Sequence, residues 1–503
     1  GYDSAGVAAF TKDGLRVIKA RGRIANLEEK IKEEGGDMYC TCGIGHTRWA
    51  THGEPSDRNS HPHLGGKGKV AVVHNGIIEN YKELRERLEA HGYEFKSETD
   101  TETVAHLVDY LHTGKQEDLA KTVLQAVQRL RGSYALGVVS MDNTQEIVAA
   151  RRGNPLVIGI GEGENMIASD ITAIINRTKR YIILDDNEVA IVRPDSVVVM
   201  NEFGDTVEKE IMTVTWDMSA AEKGGYQHFM LKEIMEQPKA VADTVKPRIK
   251  NDAVVFEDNG LTDERLREIE HIHIIGCGSA LHAGMVGKRV IEAMCRIRCT
   301  AEVASEFRYE NPIIGKKDMC IVISQSGETA DTLAAMRLAK QAGAFTIAIV
   351  NVVSSTIARE ADGVLYTWAG PEISVATTKG YSAQLVALDC IAVQFAKVKG
   401  LITDEQYSYY ISELQTIPEK IEKILQDKER IQWFAAKYAN AHDVFFVGRG
   451  VDYAVCLEGS LKLKEISYIH SEAYAAGELK HGTISLIEDN ILVIGVLTQS
   501  KLY

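Results

Sequence analysis

A strand, a glycine-rich turn and a helix follow one another twice in this chain, and this repeat limits the fold more than any other feature. The first copy runs from the apolar segment 272–275 through Gly276-Cys277-Gly278-Ser279 into a helix. A weaker second copy runs from 444–447 through Gly448-Arg449-Gly450 into another helix. Alternation of buried strands and helices is typical of a doubly wound parallel sheet. We therefore predict two α/β domains that arose by internal duplication.

The rest of the sequence predicts further parts. A chain of 503 residues is too long for one hydrophobic core. Residues 1–215 contain short β-type segments and amphipathic helices near 103–111 and 118–130, which predicts a mixed α+β layer domain. Residues 216–248 fit a linker followed by a helix. We assign 249–400 to the first α/β domain and 401–503 to the second, which we expect to be incomplete.

Composition excludes several classes of partner. A net charge of −14 disfavours nucleic acid and anionic membranes, since both require a basic face. The eight cysteines are scattered, without the paired C-x-x-C spacing of a zinc site or a disulfide framework. No apolar run is long enough to span a bilayer, and no signal peptide opens the chain. We expect a cytoplasmic protein that needs no metal or organic cofactor.

The polar run from Ile44 to Gly53 predicts a first site. It contains a guanidinium, an indole, two imidazoles and two hydroxyls within ten residues. A core strand cannot absorb so many donors, because each buried donor needs a partner. We therefore predict a rigid loop that grips a small polar molecule. Arg48 suits a carboxylate, which its planar guanidinium can hold bidentately.

Two further segments could belong to this first site. Asn75 and Gly76 follow an apolar strand, and an Asn amide beside a Gly N–H can form an oxyanion pocket for acyl transfer. A hairpin turn is the alternative for this dipeptide. Residues 98–102 are acidic and include Asp100. Their alternative function is to form the N-terminal cap of the following helix.

The segment Ser324-Gln325-Ser326-Gly327-Glu328-Thr329 predicts a phosphate site. It lies between an apolar strand and a helix, so hydroxyls and helix N–H groups converge there without basic side chains. An ordinary serine-rich helix cap is the alternative. A nucleotide-binding turn at Gly276 is disfavoured, because the third glycine of that fingerprint is missing.

A third candidate set lies on the helix after the second glycine turn. Glu458, Lys462 and Glu465 have the spacing i, i+4 and i+7, so they share one face. A carboxylate beside a lysine in a closed pocket is a workable acid–base pair. A salt-bridged face in contact with solvent is the alternative.

Together these motifs resemble the glucosamine-6-phosphate synthases, the family of isomerising glutamine–fructose-6-phosphate aminotransferases. Gly1-Tyr2-Asp3-Ser4-Ala5-Gly6, residues 46–53 and His74-Asn75-Gly76 resemble its N-terminal-nucleophile glutaminase half. Residues 324–329 and 458–482 resemble its sugar-isomerase (SIS) half. The resemblance implies an αββα glutaminase domain followed by two α/β SIS domains. It also implies that ammonia released from glutamine passes to a second site, where fructose 6-phosphate becomes glucosamine 6-phosphate.

The resemblance assigns roles in the glutaminase half. Arg48 would hold the glutamine carboxylate and Asp100 its α-amino group. Asn75 and Gly76 would stabilise the tetrahedral oxyanion. Thr51 and His52 would line the pocket, with His61 also near the glutamine, and Trp49 would gate the passage of ammonia between the two sites.

The resemblance also assigns roles in the SIS half. Glu465 would be the base that moves a proton between C1 and C2 of the sugar, and Lys462 would assist it. His481, supplied by the neighbouring subunit of a homodimer, would help to open the sugar ring. The residues that would bind the phosphosugar are Cys277, Gly278, Ser279, Ser324, Gln325, Ser326, Thr329, Val375 and Thr377.

The sequence departs from the family at both ends. The family attacks glutamine with the thiol of an N-terminal cysteine, whereas this sequence starts with Gly1. Cys42 imitates the motif within Cys42-Gly43-Ile44 but carries no free amine. The lysine-bearing tail of the family is also absent after Tyr503. We therefore expect a truncated protein that hydrolyses no glutamine as written.

Two rival functions remain open. One is an SIS enzyme that removes amines from sugar adducts; it would have no use for Arg48 and Asp100. The other is a sugar-phosphate sensor without catalytic activity; it would have no use for Glu465 and His481.

Overall fold

The computed structural model describes residues 3–12, 14–34, 40–48, 52–112, 118–214, 222–256, 260–489 and 491–502. The chain forms two compact units, Gly1–Met218 and Ser219–Tyr503. None of the described helices combines the length and the apolar character that a membrane crossing requires.

The first unit is built mainly from short strands. Its strands are β1 (Ser4–Thr11), β2 (Gly14–Arg21), β3 (Gly43–Arg48), β4 (His63–Leu64), β5 (Val70–Ile78), β6 (Gly132–Ser140), β7 (Asn143–Arg152), β8 (Val157–Ile160), β9 (Asn165–Ala168), β10 (Arg180–Ile183), β11 (Val189–Val192), β12 (Val197–Met200), β13 (Thr206–Val207) and β14 (Met212–Thr213). Its helices are α1 (Ile24–Glu33), α2 (Tyr81–Ala90), α3 (Asp100–Leu111) and α4 (Leu119–Val127).

The described strands of this unit form layered sheets. The central sheet has the order β13-β12-β11-β7-β6-β5-β4, and strand alternation gives it two apolar faces. On one face Leu136 and Val138 pack against α3 and α4. On the other face Ala135 packs against the sheet β14-β10-β8-β9, and Val139 against the sheet β2-β1-β3. Helix α1 covers the outer face of the last sheet through Leu27. The αββα prediction is confirmed.

One sequence prediction needs correction. The expected loop over 44–53 is wrong in its first half, because Gly43–Arg48 is strand β3 and pairs antiparallel with β1. In this sheet β3 is at the edge, and its polar side chains border a cavity instead of an apolar core. That position accommodates donors such as His46 and Arg48, which the interior of a sheet could not.

The second unit alternates strands and helices. Its strands are β15 (Ile249–Lys250), β16 (Ala253–Val254), β17 (His271–Gly276), β18 (Arg298–Val303), β19 (Asp318–Ser324), β20 (Phe345–Val350), β21 (Gly363–Tyr366), β22 (Asp443–Gly448), β23 (His470–Ala475) and β24 (Leu492–Gly495). Its helices are α5 (Phe229–Met235), α6 (Gln237–Val245), α7 (Asp263–Glu268), α8 (Ser279–Cys295), α9 (Ala304–Phe307), α10 (Ala330–Gln341), α11 (Thr356–Glu360), α12 (Lys379–Val398), α13 (Asp404–Leu425), α14 (Lys428–Lys437) and α15 (Val451–Ser467).

The described strands confirm the predicted parallel sheets. One has the order β18-β17-β19-β20-β21, with α8 and α12 on one face and α10 on the other. The second has the order β23-β22-β24. Both copies contain a strand of 6 residues, a helix of 17 and a strand of 6. Gly278 and Gly450 precede the two helices with the same positive φ of 55°, a conformation that favours glycine.

Candidate active sites

A cavity of about 360 Å³ in the first unit brings together most of the predicted glutaminase residues. It lies at β3, at the middle of β5 and at the beginning of α3. The predicted residues in its wall are Arg48, His52, His61, Asn75, Gly76 and Asp100. Trp49 and Thr51, for which roles were also predicted, lie outside the described residues.

Arg48 is a buried cation in this wall, with only 3% of its surface exposed. Its guanidinium donates to the backbone carbonyl oxygens of His52 and Gly53, at 3.0 Å for Gly53. Its Nη1 lies 3.8 Å from Oδ1 of Asp3. Desolvation by burial lowers the pKa of Arg48, while the Asp3 carboxylate opposes that shift. The contacts hold the backbone of His52 and Gly53 beside the cation, so Arg48 shapes the cavity and also supplies positive charge to it.

Asp100 is the first residue of α3 and is also buried. Its Oδ2 accepts a hydrogen bond of 2.9 Å from the backbone N–H of Ile78. Its Oδ1 lies 3.9 Å from Nδ1 of His52. The hydroxyl of Thr99 caps the helix by accepting from the backbone of Glu102. The helix-cap interpretation is therefore correct for this segment, and the cap also places Asp100 in the cavity wall.

Asn75 and Gly76 lie inside β5, where they pair with Ala135 and Tyr134 of β6. The alternative of a hairpin turn is therefore wrong. Gly76 has a φ of 140°, and a Cβ there would overlap the carbonyl oxygen of Ser133. Only glycine fits at this point of the strand, because a side chain would both strain the backbone and push β6 away.

Sequence reasoning missed a buried histidine network behind this wall. The backbone N–H of His74 donates to Nδ1 of His61 at 3.4 Å, so the His61 proton lies on Nε2, 3.2 Å from the Thr101 hydroxyl. That hydroxyl lies 3.0 Å from Nδ1 of His74, and Nε2 of His74 lies 3.5 Å from the carbonyl oxygen of Ser133. Because a carbonyl only accepts, Nε2 of His74 carries the proton and Nδ1 accepts from Thr101. Both rings are neutral in this arrangement.

Burial keeps this group of histidines uncharged. It lowers the pKa of His46 to about 4, and the ring of His46 stacks on that of His61 with centroids 4.4 Å apart. It also lowers the pKa values of His61, His63 and His74. A sequence signal existed, since these four histidines fall between residues 46 and 74. Nothing in their spacing predicted the contacts with Thr101.

Cys42 does not line the cavity. Its thiol lies 3.7 Å from the carbonyl oxygen of Glu146, and burial raises its pKa to about 11. A nucleophilic cysteine needs a lowered pKa, because the thiolate is the reactive form. The expectation that Cys42 only imitates the family motif is consistent with this environment.

A cavity of about 230 Å³ in the second unit lies at the carboxyl ends of β17 and β19. It brings together ten of the predicted residues: Cys277, Ser279, Ser324, Gln325, Ser326, Thr329, Val375, Thr377, Lys462 and Glu465. Gly278 and His481 are not among the described residues that line it. Gly278 instead forms the turn before α8.

Hydrogen bonds of its own hydroxyl groups hold the loop after β19 in shape. Oγ of Ser324 lies 2.9 Å from Oγ1 of Thr329 and accepts from the backbone N–H of Gly327 at 3.0 Å. Thr329 precedes α10 but makes no side-chain capping hydrogen bond. The alternative of an ordinary cap is therefore wrong, and the first N–H groups of α10 remain available to an anion.

Glu458, Lys462 and Glu465 form a linked group on α15. Nζ of Lys462 lies 3.6 Å from Oε1 of Glu458 and also pairs with Oε2 of Glu465. Glu458 is only 6% exposed, and its two oxygens lie 2.8 Å from Oγ of Ser279 and from Nδ1 of His282. The alternative of a solvated face is wrong for Glu458. Its carboxylate anchors α15 to the first glycine turn and so places Lys462 and Glu465 at the cavity.

Sequence reasoning missed one residue that lines this cavity and one that supports a loop of its wall. Gln384 on α12 lines it, is 3% exposed and has an Oε1 without a hydrogen-bond partner among the described residues. Glu233 on α5 holds the loop that carries Val375, because its carboxylate accepts from the backbone N–H groups of Ile373 and Ser374 at 2.6 and 3.0 Å. Neither belongs to a local motif, and Glu233 lies in the segment that was assigned to a linker.

Comparisons with known proteins identify two kinds of domain in the chain. The glutamine amidotransferase domain family matches residues 46–176, and the SIS domain family matches 265–394 and 437–501. The glutamine–fructose-6-phosphate aminotransferase (isomerizing) of Caldanaerobacter subterraneus is 55% identical over 504 residues, which cover 100% of this chain and 82% of that protein. The enzyme of the same name from Clostridium tetani is 54% identical with the same coverage.

A solved structure matches as well. The C-terminal domain of glucosamine-fructose-6-phosphate aminotransferase from Francisella tularensis is 39% identical, with a TM-score of 0.54 over 56% of this chain and 79% of that one. A glutamine amidotransferase domain followed by SIS domains defines a two-part amidotransferase. The chain belongs to the family of isomerizing glutamine–fructose-6-phosphate aminotransferases.

Proposed function

We propose that this protein transfers the amide nitrogen of glutamine to fructose 6-phosphate and isomerises the product to glucosamine 6-phosphate, as the name of its relatives indicates. The observation that carries the proposal is the presence of two cavities with different chemistry. One has a buried cation and a buried carboxylate in its wall. The other has a hydroxyl-rich loop, a helix N-terminus and a lysine–glutamate pair.

In the glutaminase cavity the charges fit the two ends of an amino acid. Arg48 attracts the glutamine carboxylate, and Asp100 attracts the α-ammonium group. Asn75 and Gly76, which both line the cavity, stabilise the oxyanion that forms when the side-chain amide is attacked. His52, beside Asp100, completes the wall. Trp49 and Thr51 keep the gating and lining roles that the family resemblance implies.

In the sugar cavity the phosphate is held by hydroxyls and backbone N–H groups. Ser324, Ser326 and Thr329 surround the start of α10, where the helix dipole favours an anion. Glu465 is the base for proton transfer between C1 and C2, and Lys462, which pairs with its carboxylate, assists the transfer. The lining residues Cys277, Ser279, Gln325, Val375 and Thr377 enclose the sugar, with Gly278 shaping their turn.

We also infer a homodimer. His481 is exposed and does not line the cavity of its own chain. The partner subunit's His481 would supply the missing acid for ring opening. The eight cysteines are all unpaired, which fits the reducing conditions of the cytoplasm, where we place the protein.

Replacing Asp100 by Asn should weaken glutamine binding by about 10–100-fold, because an ionic hydrogen bond to a substrate ammonium is lost. The Asn oxygen can still accept from Ile78, so the fold should persist. Isothermal titration with glutamine measures the effect. Asp109→Asn is the matched control, since Asp109 is equally buried on α3 but bonds Tyr93 outside the cavity. Equal glutamine affinity in D100N and wild type would contradict the assignment.

Replacing Gly327 by Ala should abolish the rise in melting temperature that fructose 6-phosphate causes. Gly327 has a φ of 67°, and a Cβ would overlap the Ser355 hydroxyl, so the phosphate loop must move. Gly400→Ala is the control, because Gly400 has a φ of 68° with open space around it. Both variants carry about 1–2 kcal/mol of left-handed strain, but only G327A forces the loop 324–329 and Ser355 apart. A ligand-induced shift retained in G327A would show that the phosphate binds elsewhere.

A further inference from the structure

A second group of chemically active residues lies at the opposite end of the first parallel sheet. His271 and His273 are two residues apart on β17, so their side chains share one face of the strand. Asp318 begins the neighbouring strand β19 and is the register partner of His271. The sugar cavity is at the carboxyl ends of these strands, whereas this group is at their amino ends. The established family activity gives it no role.

Nε2 of His273 has no hydrogen-bond partner among the described residues. Its Nδ1 lies 3.2 Å from Oε1 of Glu302, and a carboxylate can only accept, so Nδ1 carries a proton. In a ring that holds this one proton, Nε2 presents a lone pair, 3.5 Å from Oδ2 of Asp318. Two acceptors facing each other repel unless a cation or a proton lies between them. His273 is 4% exposed, so water cannot easily relieve this contact.

We propose that His271, His273 and Asp318 bind a divalent transition-metal ion of the zinc type. One ring nitrogen from each histidine and one carboxylate oxygen lie within 4.8 Å of one another. Nε2 of both rings is buried and has no hydrogen-bond partner among the described residues. Zinc ligands lie about 2.0–2.2 Å from the ion, so small side-chain movements bring these three atoms into place.

The surroundings of the group are those of a metal site. Glu302 holds the proton of His273 on Nδ1, and Thr300 donates to the same carboxylate, which fixes the ring with Nε2 toward the ion. His271 and Asp318 also border a cavity of about 860 Å³, which leaves a coordination position open to solvent or an anion. Since the ion would join the first residues of two neighbouring strands, it would stabilise the sheet without entering the sugar site.

Metal titration of the untagged, chelator-treated protein tests the proposal. We expect one Zn²⁺ per chain, a higher melting temperature on binding, and visible absorption bands when Co²⁺ replaces Zn²⁺. His271→Ala and Asp318→Asn should each abolish the stoichiometric site. Glu302→Gln should weaken Zn²⁺ binding by about 10–100-fold, the usual effect of losing the partner of a ligating histidine. Circular dichroism confirms that the variants are folded.

His470→Ala is the matched control. His470 is also an imidazole beside a carboxylate, with Nδ1 2.8 Å from Oδ1 of Asp443. The pair lies at the amino ends of β22 and β23 in the second parallel sheet. Its loss should leave Zn²⁺ binding unchanged. The proposal is overturned if the wild type does not bind one equivalent of Zn²⁺, or if binding survives in both H271A and D318N. It is also overturned if nuclear magnetic resonance shows that His273 is doubly protonated and that Zn²⁺ does not displace the proton on Nε2.

Discussion

Replacing Glu465 by Gln is expected to slow proton transfer between C1 and C2 of the sugar by about 10²–10⁴-fold. The amide keeps the size of the side chain but cannot accept the proton. Lys462 keeps its other partner, Glu458, so its position on α15 should change little. Uptake of solvent deuterium into the sugar, followed by nuclear magnetic resonance in the protein at the full length its gene encodes, measures this rate directly.

Two controls separate catalysis from binding in that experiment. Fructose 6-phosphate should still raise the melting temperature of E465Q, because the hydroxyls and the N-terminus of α10 are unchanged. Glu422→Gln, a change of the same kind at an exposed position of α13, should exchange deuterium at the wild-type rate. If E465Q also exchanges deuterium at that rate, another group is the base.

Acidification from pH 6.5 toward 4 is expected to destabilise the first unit. An unfolded histidine has a pKa of about 6.5, whereas that of His46 is about 4 and those of His61, His63 and His74 are also lowered. The unfolded chain therefore binds more protons, and folding stability rises with pH across this interval. The stabilisation is complete above pH 6.5 and is lost as pH falls, at about 1.4 kcal/mol per pH unit for a histidine whose folded-state pKa lies below that pH.

Hydrogen exchange of peptides from β5 and β6 between pH 6.5 and 4.5 measures this effect, after correction for the intrinsic exchange rate. His63→Gln should reduce the pH dependence by about one proton, because Gln cannot titrate but can still bond the Thr99 hydroxyl that His63 contacts at 3.1 Å. His91→Gln should not, since His91 is exposed. A stability that is constant over this interval would show that the histidines do not control it.

Local motifs were readable from the sequence because their parts are adjacent in the chain. The loop at 324–329, predicted to bind phosphate, contains its own hydroxyls, glycine and helix start, so its position and its predicted ligand class follow from one segment. The glycine turns at Gly278 and Gly450 predicted the parallel sheets for the same reason. The spacing of Lys462 and Glu465 along one helix was likewise sufficient to place them on a shared face.

Contacts between distant segments could not be predicted from the sequence in this way. Gln384 reaches the sugar cavity only because α12 packs beside α8. Thr101 joins two histidines that precede it by 40 and 27 residues. Asp318 meets His271 only through the parallel register. The sequence predicts a loop where β3 lies, because polarity alone does not distinguish a strand that borders a cavity from an irregular segment.

The hydrogen bonds of Glu233 couple the order of α5 to the order of the loop that carries Val375. A phosphosugar that fixes the loop around Val375 also fixes the carboxylate of Glu233, to which that loop donates. Glu233 belongs to α5, the first of the described helices in the second unit. Coupling of this kind is reciprocal: whatever orders α5 must tighten sugar binding by the same free energy. Slower amide exchange in α5 would therefore measure how much phosphosugar occupies the cavity, although no residue of α5 is among those that line it.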